Sequence, residues 1–357
     1  DVMAALKELV DAISNGTFEQ FISKNPELMM SECKNKMDRY EVNNIMEKTR
    51  PYWSFSTPAS LLISILCQSF SSSIYTFDEG KGSNAYGFSY AHGGAKKLWD
   101  WMTSTKEGET KFIVYGDDTK MVWRKNGTLY EVNPDFVQMD GSVDRDTVDL
   151  TVDYVIKCFE KQHGNSEFFK FVGEMWKKLA LGSSFFLDGT KAYSNKTGLL
   201  TGVVGTTLFD TVKSMLAYHL FIHQRNDPSD VEKSIAFFKE MGLEVKKNTW
   251  QPEMVIEDLE EGVFASEQKF LGVKMMTVQG GKEPEPVPYM DEDDLIALIG
   301  NLRQQVVETG ATALNRRLFD TARGYMITAA FHHPRLWSSM GKLIDDTDPK
   351  IICQRVQ

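Results

Sequence analysis

Apolar residues recur at three- and four-residue spacing over residues 2–13, where Val2, Leu6, Leu9, Val10 and Ile13 share one helical face and Asn15-Gly16 closes the pattern. The same period returns at Val148, Val152, Val155, Ile156 and Phe159, with Asp146 as the expected cap, Gly164 as the stop, and the helix expected to pack beneath a sheet. It returns again at Leu208, Val212, Met215, Leu216 and Leu220, all expected to face inward, and over 231–241. Between these stretches lie short β-prone runs at 112–115, 121–123, 130–132 and 243–247, while 54–73 predicts a buried helix or a strand pair. Residues 279–294 mix Gly, Pro and acids and are expected to form a linker. Beyond it, Leu295, Ile299, Leu302 and Val306, then 318–331, predict further helices. Helical and strand-like stretches both occur, and no internal repeat is seen.

Composition narrows the class. With 357 residues, 42 % of them hydrophobic, the chain can bury a large core in two or three subdomains. A formal charge of -10 argues against a protein that simply coats nucleic acid, although positive charge confined to a channel escapes that objection. Cys33, Cys67, Cys158 and Cys353 form no CxxC pair, so neither a zinc cluster nor a disulfide framework is predicted, and a reducing compartment fits. The longest apolar run, 59–70, is shorter than the roughly 20 residues that span a bilayer. The opening at Asp1 inside a helical pattern predicts an excerpt of a longer chain.

The chemistry concentrates between Lys111 and Asp140. Gly116-Asp117-Asp118-Thr119 has the composition of a tight hairpin turn between two β runs, and Asp135 and Asp140 follow the third run. A lone Gly-Asp-Asp is more often only a turn, and aspartates crowd element ends generally. Clustered carboxylates at a sheet end also suit Mg²⁺, a hard ion that takes oxygen ligands and works with phosphates. A third segment, Thr201-Gly202-Val203-Val204-Gly205-Thr206, is a glycine-bearing loop running into the apolar helix that carries Asp210. Upstream, Arg39 and the Lys48-Thr49-Arg50 run could be a solvated face or a phosphate grip, since Arg offers a planar fork and Lys a mobile charge. His332-His333 has no acid or cysteine at ligand spacing and is expected on the surface. Tyr86, Phe88 and Tyr90, in a glycine-rich loop, either stack on bases or pin the loop to the core.

In these segments the chain resembles viral RNA-dependent RNA polymerases. Residues 115–118 match the YGDD hairpin of motif C, Asp135 and Asp140 the D-x4-D of motif A, and Thr201, Gly202, Thr206 and Asp210 the loop and helix of motif B. The order C, A, B is permuted, as in birnavirus and permutotetravirus polymerases, and the intact GDD is more similar to the permutotetravirus group. Lys48 and Arg50, with Arg39 upstream, resemble motif F. Residues 243–247 resemble motif D, with Lys246 and Lys247 as candidates, and 269–273 resemble the motif E hairpin.

The resemblance implies an α+β right-hand fold: an antiparallel palm sheet backed by helices, helical and loop-rich fingers, a helical thumb and permuted palm connectivity. On that basis 1–100 are fingers, 101–164 palm motifs C and A, 165–198 a fingers insertion, 199–278 palm motifs B, D and E, and 279–357 linker and thumb. It implies RNA synthesis from ribonucleoside triphosphates on an RNA template for genome replication and transcription, in the host cytoplasm or the virion. Two Mg²⁺ ions, with Mn²⁺ as a substitute, would be held by Asp117, Asp118 and Asp135. Lys247 stands as the catalytic lysine, and Lys48, Arg50, Arg39, Asp140, Thr201, Gly202, Thr206 and Asp210 are expected to bind the nucleotide. Asp210 departs from the family's usual Asn, and two carboxylates around one ribose hydroxyl repel unless one is protonated or Thr206 intervenes. Template and nascent RNA are the expected partners, with a protein primer or self-linked nucleotide as a further one. A reverse transcriptase, another palm nucleotidyl transferase and a non-catalytic RNA-binding protein with this fold are the alternatives.

Overall fold

In the computed structural model, residues 1–36, 50–74, 82–91, 93–182, 184–187, 190–193, 198–300, 311–328 and 330–346 are described. The chain divides into two compact units. One gathers 1–88, 107–124 and 132–252, and the other 89–106, 125–131 and 253–357.

The first unit is built on helices. The Val2–Ser14 helix starts where Asp1 accepts a hydrogen bond from the Met3 amide, and its buried side holds Leu9 and Ala12. Residues 54–73, ambiguous from sequence, resolve into the end of a Pro51–Phe55 strand and a Thr57–Ser73 helix. Pro58 is tolerated there because the first turn of a helix needs no amide partner. The Arg145–His163 and Glu167–Leu181 helices complete this layer, and Leu62, Ile63, Leu66, Val148, Val152, Val155, Met175 and Trp176 form one core. Arg145–His163 therefore packs on helices, not beneath a sheet, and its cap is Asp144, not Asp146: the Asp144 carboxylate accepts the Thr147 amide at 2.7 Å. Acids one or two residues inside a helix start look alike in sequence, and only backbone geometry separates the cap from its neighbours.

Two sheet elements belong to this unit. Pro51–Phe55 runs antiparallel to Ser31–Asn35, which pairs in parallel with Ser184–Leu187, itself antiparallel to Thr190–Tyr193. Thr110–Tyr115 and Asp118–Lys125 form the predicted hairpin, with Tyr115 opposite Asp118 and Gly116 at a positive φ of 66° in the turn. Thr206–His223 lies against the first hairpin strand, where Phe112 meets Tyr218 and His219. The buried face of this helix is Leu208, Phe209, Thr211, Ser214, Ala217, Tyr218 and Phe221; Leu216, expected inward, is 44 % exposed. The residues around Asp210 and Lys213 are buried as well, so an apolar-only reading misplaced the stripe. Residues 243–247 form no strand: one isolated bridge joins Val245 to Phe136.

In the second unit Thr128–Val132 pairs with Glu253–Met254, and Phe264–Phe270 and Val273–Gln279 form the hairpin expected for 269–273. Part of the expected linker is in fact the strand Pro284–Tyr289, antiparallel to Val273–Gln279 at the sheet's edge. Prolines 284, 286 and 288 alternate along it, which leaves the amides of Glu285, Val287 and Tyr289 for the ladder and confines the missing donors to the outer side. His332 and His333 are not free surface residues. Their Nε2 atoms lie 3.0 Å from the Pro288 carbonyl and 2.8 Å from the Met290 carbonyl, and both rings pack on Tyr289. Glu292–Gly300, Ala311–Thr328 and Pro334–Asp345 are the C-terminal helices; Leu302 and Val306 lie outside the described residues. Tyr90 donates to the Phe270 carbonyl at 2.9 Å, Phe88 is buried, and in the first unit Tyr86 packs on Tyr115, so these aromatics pin their loop. Among the described residues no helix is long and apolar enough to cross a membrane.

Candidate active site

The hairpin turn is fixed from behind. The Gly116 amide donates to Thr211 Oγ1 at 2.8 Å, and Ser214 Oγ donates to the Gly116 carbonyl at 3.3 Å. A Cβ on Gly116 would stand 3.2 Å from Thr207 Cγ2, so the turn needs glycine for both its φ and its seat on the helix. Asp117 and Asp118 therefore project from a rigid platform. Thr211 and Ser214 were not singled out from sequence, although small hydroxyls inside an apolar helix are a usable signal.

Asp135 lies three residues beyond Val132, in irregular chain and not at a strand end. Its amide donates to Thr249 Oγ1 at 3.1 Å, its carbonyl accepts the Lys246 amide at 2.7 Å, and its carboxylate is 2.5 Å from Lys246 Nζ. Of the two candidate lysines it is thus Lys246 that reaches the acids, whereas Lys247 is exposed and the structure does not bring it to them. Gln138, in the left-handed region at φ 47°, turns the chain into the short Met139–Ser142 helix that carries Asp140. Asp140 accepts a short hydrogen bond from the Thr201 hydroxyl, and its carbonyl accepts the Leu199 amide at 2.9 Å.

The loop 201–205 is clamped on two sides. The Trp53 amide donates to the Thr201 carbonyl at 2.8 Å, and Trp176 Nε1 to the Val204 carbonyl at 2.8 Å. A Cβ on Gly202, whose φ is 104°, would run into the Trp53 carbonyl oxygen, and one on Gly205 would stand 2.7 Å from the Trp176 ring. Thr206 spends its hydroxyl on the Val203 carbonyl at 2.8 Å, as a local helix-start contact. Deeper in the helix, Lys213 Nζ lies 2.6 Å from Asp144, tying the Asp140 segment to the Asp210 helix. Arg50 is exposed at the head of the Pro51–Phe55 strand, and Arg39 and Lys48 lie outside the described residues.

Electrostatics links the acids across these segments. Burial first, then repulsion from Asp135 and Asp140, raises the Asp117 carboxyl above its ordinary range, although its backbone hydrogen bond and Lys246 oppose the rise. Burial and the charges of Asp117 and Asp135 push Asp118 to about 6. Asp210 is pushed to about 9 by burial, by the Asp140 charge, by its hydrogen bond to Asp140 and by Asp117. At neutral pH it is a carboxylic acid that can donate to Asp140, as the amide of Asn would. Protonation of Asp210, not the hydroxyl of Thr206, thus resolves the clash of carboxylates that the sequence posed.

The donor set suits a hard divalent cation: oxygen ligands only, with ionisation opposed by burial and then by mutual repulsion, which a cation would relieve. In the arrangement seen, with Asp135 held by Lys246, no three acid, histidine or cysteine side chains among the described residues gather to enclose an ion.

Residues 1–274 match a family model described as the permutotetravirus RNA-dependent RNA polymerase palm domain, and residues 294–357 match that of the corresponding thumb domain. Among solved structures, the chain is similar to the RNA polymerase VP1 from Infectious Pancreatic Necrosis Virus, with a TM-score of 0.77, and to the birnavirus VP1-VP3 complex, with 0.75. Identity is 14 % in each case, and the match covers 100 % of this chain but 50 % of the other, so the likeness is one of fold and the chain spans about half their length. No curated protein matches. Matched over palm and thumb, the chain belongs to the permutotetravirus RNA-dependent RNA polymerase family.

Proposed function

We propose that this chain carries the catalytic palm of an enzyme that copies RNA from ribonucleoside triphosphates by nucleotidyl transfer. The observation that supports this best is the electrostatic coupling of Asp117, Asp118, Asp135, Asp140 and Asp210, acids drawn from three segments of the chain. A fold-only protein would gain nothing from such repulsion, which costs stability.

In this reading Asp117 and Asp135 are the metal ligands, with Asp118 assisting. Two divalent cations, Mg²⁺ or Mn²⁺, supply when bound the charge that stabilises the attacking and leaving oxygens. The remaining groups place the nucleotide. Asp140, oriented by Thr201, accepts the hydrogen bond of the ribose 2′-hydroxyl, and neutral Asp210 holds Asp140 without adding a second charge. Gly202 and Gly205 keep the loop low beside the sugar, while Arg50, Lys48 and Arg39 meet the triphosphate. Template and nascent RNA are the partners, and the working place is the host cytoplasm or the virion. We assign the sheet of 31–55 and 184–193 to the fingers, the hairpin with the Thr206–His223 helix to the palm, and the C-terminal helices to the thumb.

The test is incorporation by the full-length protein on RNA and DNA templates, with ribo- and deoxyribonucleotides and with Mg²⁺ or Mn²⁺. RNA-templated ribonucleotide incorporation that Asp140→Ala makes less selective for ribose is the expected result. Incorporation confined to deoxyribonucleotides, or a sugar preference indifferent to Asp140, would refute the assignment.

A further inference from the structure

The carboxylate of Asp135 already has a cation of its own. Lys246 Nζ stands 2.5 Å from Asp135 Oδ2, and the two side chains are 38 % and 47 % exposed, so this pair can open without unpacking the core. The backbone beneath it cannot shift so easily. Besides the Lys246 amide bond to the Asp135 carbonyl, Phe136 bridges Val245, and the Thr249 hydroxyl lies 2.9 Å from the Lys246 carbonyl and 3.3 Å from that of Asp135. The freedom at this point therefore belongs to the lysine side chain, a mobile point charge on a flexible stem.

Asp117, Asp118 and Asp140 supply negative charge around the pair, and Lys246 opposes the repulsion felt by Asp117 and Asp118. A divalent cation that took Asp135 as a ligand through Oδ2 would need the position that Lys246 now occupies. An ammonium at 2.5 Å fills the position on Oδ2 where an ion would bind, so the lysine and the metal exclude each other there.

We propose that Lys246 is a built-in counter-ion that competes with the divalent cation for Asp135. It neutralises the acids while no metal is bound, and it gives up Asp135 as the ligand set closes. This role presupposes the metal-ligand reading of Asp117 and Asp135 given above. It is separate from any later use of the lysine in proton transfer, since it acts before substrate is present.

The test is Mn²⁺ binding to the full-length protein, without RNA or nucleotide, followed by the loss of the free-ion signal in electron paramagnetic resonance. Lys246→Met keeps the length of the side chain and removes its charge. It should tighten Mn²⁺ binding roughly two- to fivefold, a range set by the modest strength of a part-exposed pair. Lys247→Met should leave binding unchanged, and adding Asp135→Asn to Lys246→Met should abolish the gain. Lys246→Gln gives an independent second variant, and the thermal shift produced by Mn²⁺ a second readout. Equal or weaker binding by both Lys246 variants, where Asp135→Asn still weakens binding in the parent, would overturn the counter-ion role alone. Binding indifferent to both Asp117→Asn and Asp135→Asn would overturn the metal reading and this role with it.

Discussion

Asp210→Asn should make the protein's stability less sensitive to alkaline pH. Asp210 is 5 % exposed, and its carboxyl is raised from 3.8 to about 9. Below about pH 4 the folded and unfolded chains both hold this proton; between about 4 and 9 only the folded chain does. Stability from this group is therefore fully present in acid and is lost steadily as pH rises towards 9. The loss is about 1.4 kcal/mol per pH unit, with a ceiling of about 7 kcal/mol over the whole interval. Between pH 6 and pH 8 the group removes roughly 2–3 kcal/mol from the parent and nothing from the Asn variant, whose amide preserves the donor towards Asp140. At about 2–4 °C per kcal/mol, the Tm advantage of the variant should widen by roughly 5–10 °C over those two units. The assay is thermal unfolding of both proteins across that range in chelator-containing buffer, so that cation binding does not enter. Parallel Tm curves would show that Asp210 is ionised in the folded state and would remove the argument that it stands in for Asn.

Asp117→Asn and Asp135→Asn should each abolish RNA-templated incorporation, by roughly a thousandfold or more if each is a metal ligand, and Asp117→Asn should do so without lowering Tm, because it relieves repulsion on Asp118; elongation near the parent rate would refute the ligand assignment. Asp144→Ala should cost about 2–4 kcal/mol in denaturant unfolding, since it removes a helix cap and leaves the buried Lys213 unpaired, whereas Lys213→Met should cost less because Asp144 keeps its water. Gly202→Ala should cost about 2 kcal/mol or more and depress incorporation, as the new methyl must displace the Trp53 strand or the loop itself; an unchanged unfolding midpoint would contradict that packing.

The local structure of the candidate site was legible because it is written in short segments. The hairpin of residues 115–118 needs a turn, the loop at 201–205 needs glycine, and the acids need only their identity and spacing. What failed was whatever depended on three-dimensional neighbours. The choice between Lys246 and Lys247 turns on which way one residue faces, and with no regular strand around Val245 the alternation rule has nothing to act on. The protonation of Asp210 is set by burial on a helix whose inward face includes polar residues that hydropathy discounts. His332 and His333 were assigned to the surface because sequence cannot show free carbonyls waiting 40-odd residues away. The strand Pro284–Tyr289 was missed because three prolines signal a break, and only the outer position of a sheet makes them permissible.

That proline border also decides where the hairpin sheet can grow. An extended segment approaching it would meet acceptors without donors, because positions 284, 286 and 288 carry no amide hydrogen, and the Pro288 carbonyl is already engaged by His332. Templated addition of a foreign strand needs both halves of the ladder, so along this margin the sheet is sterile. The C-terminal unit thereby keeps this margin from seeding aggregates, by a covalent feature that no change of salt or pH can undo.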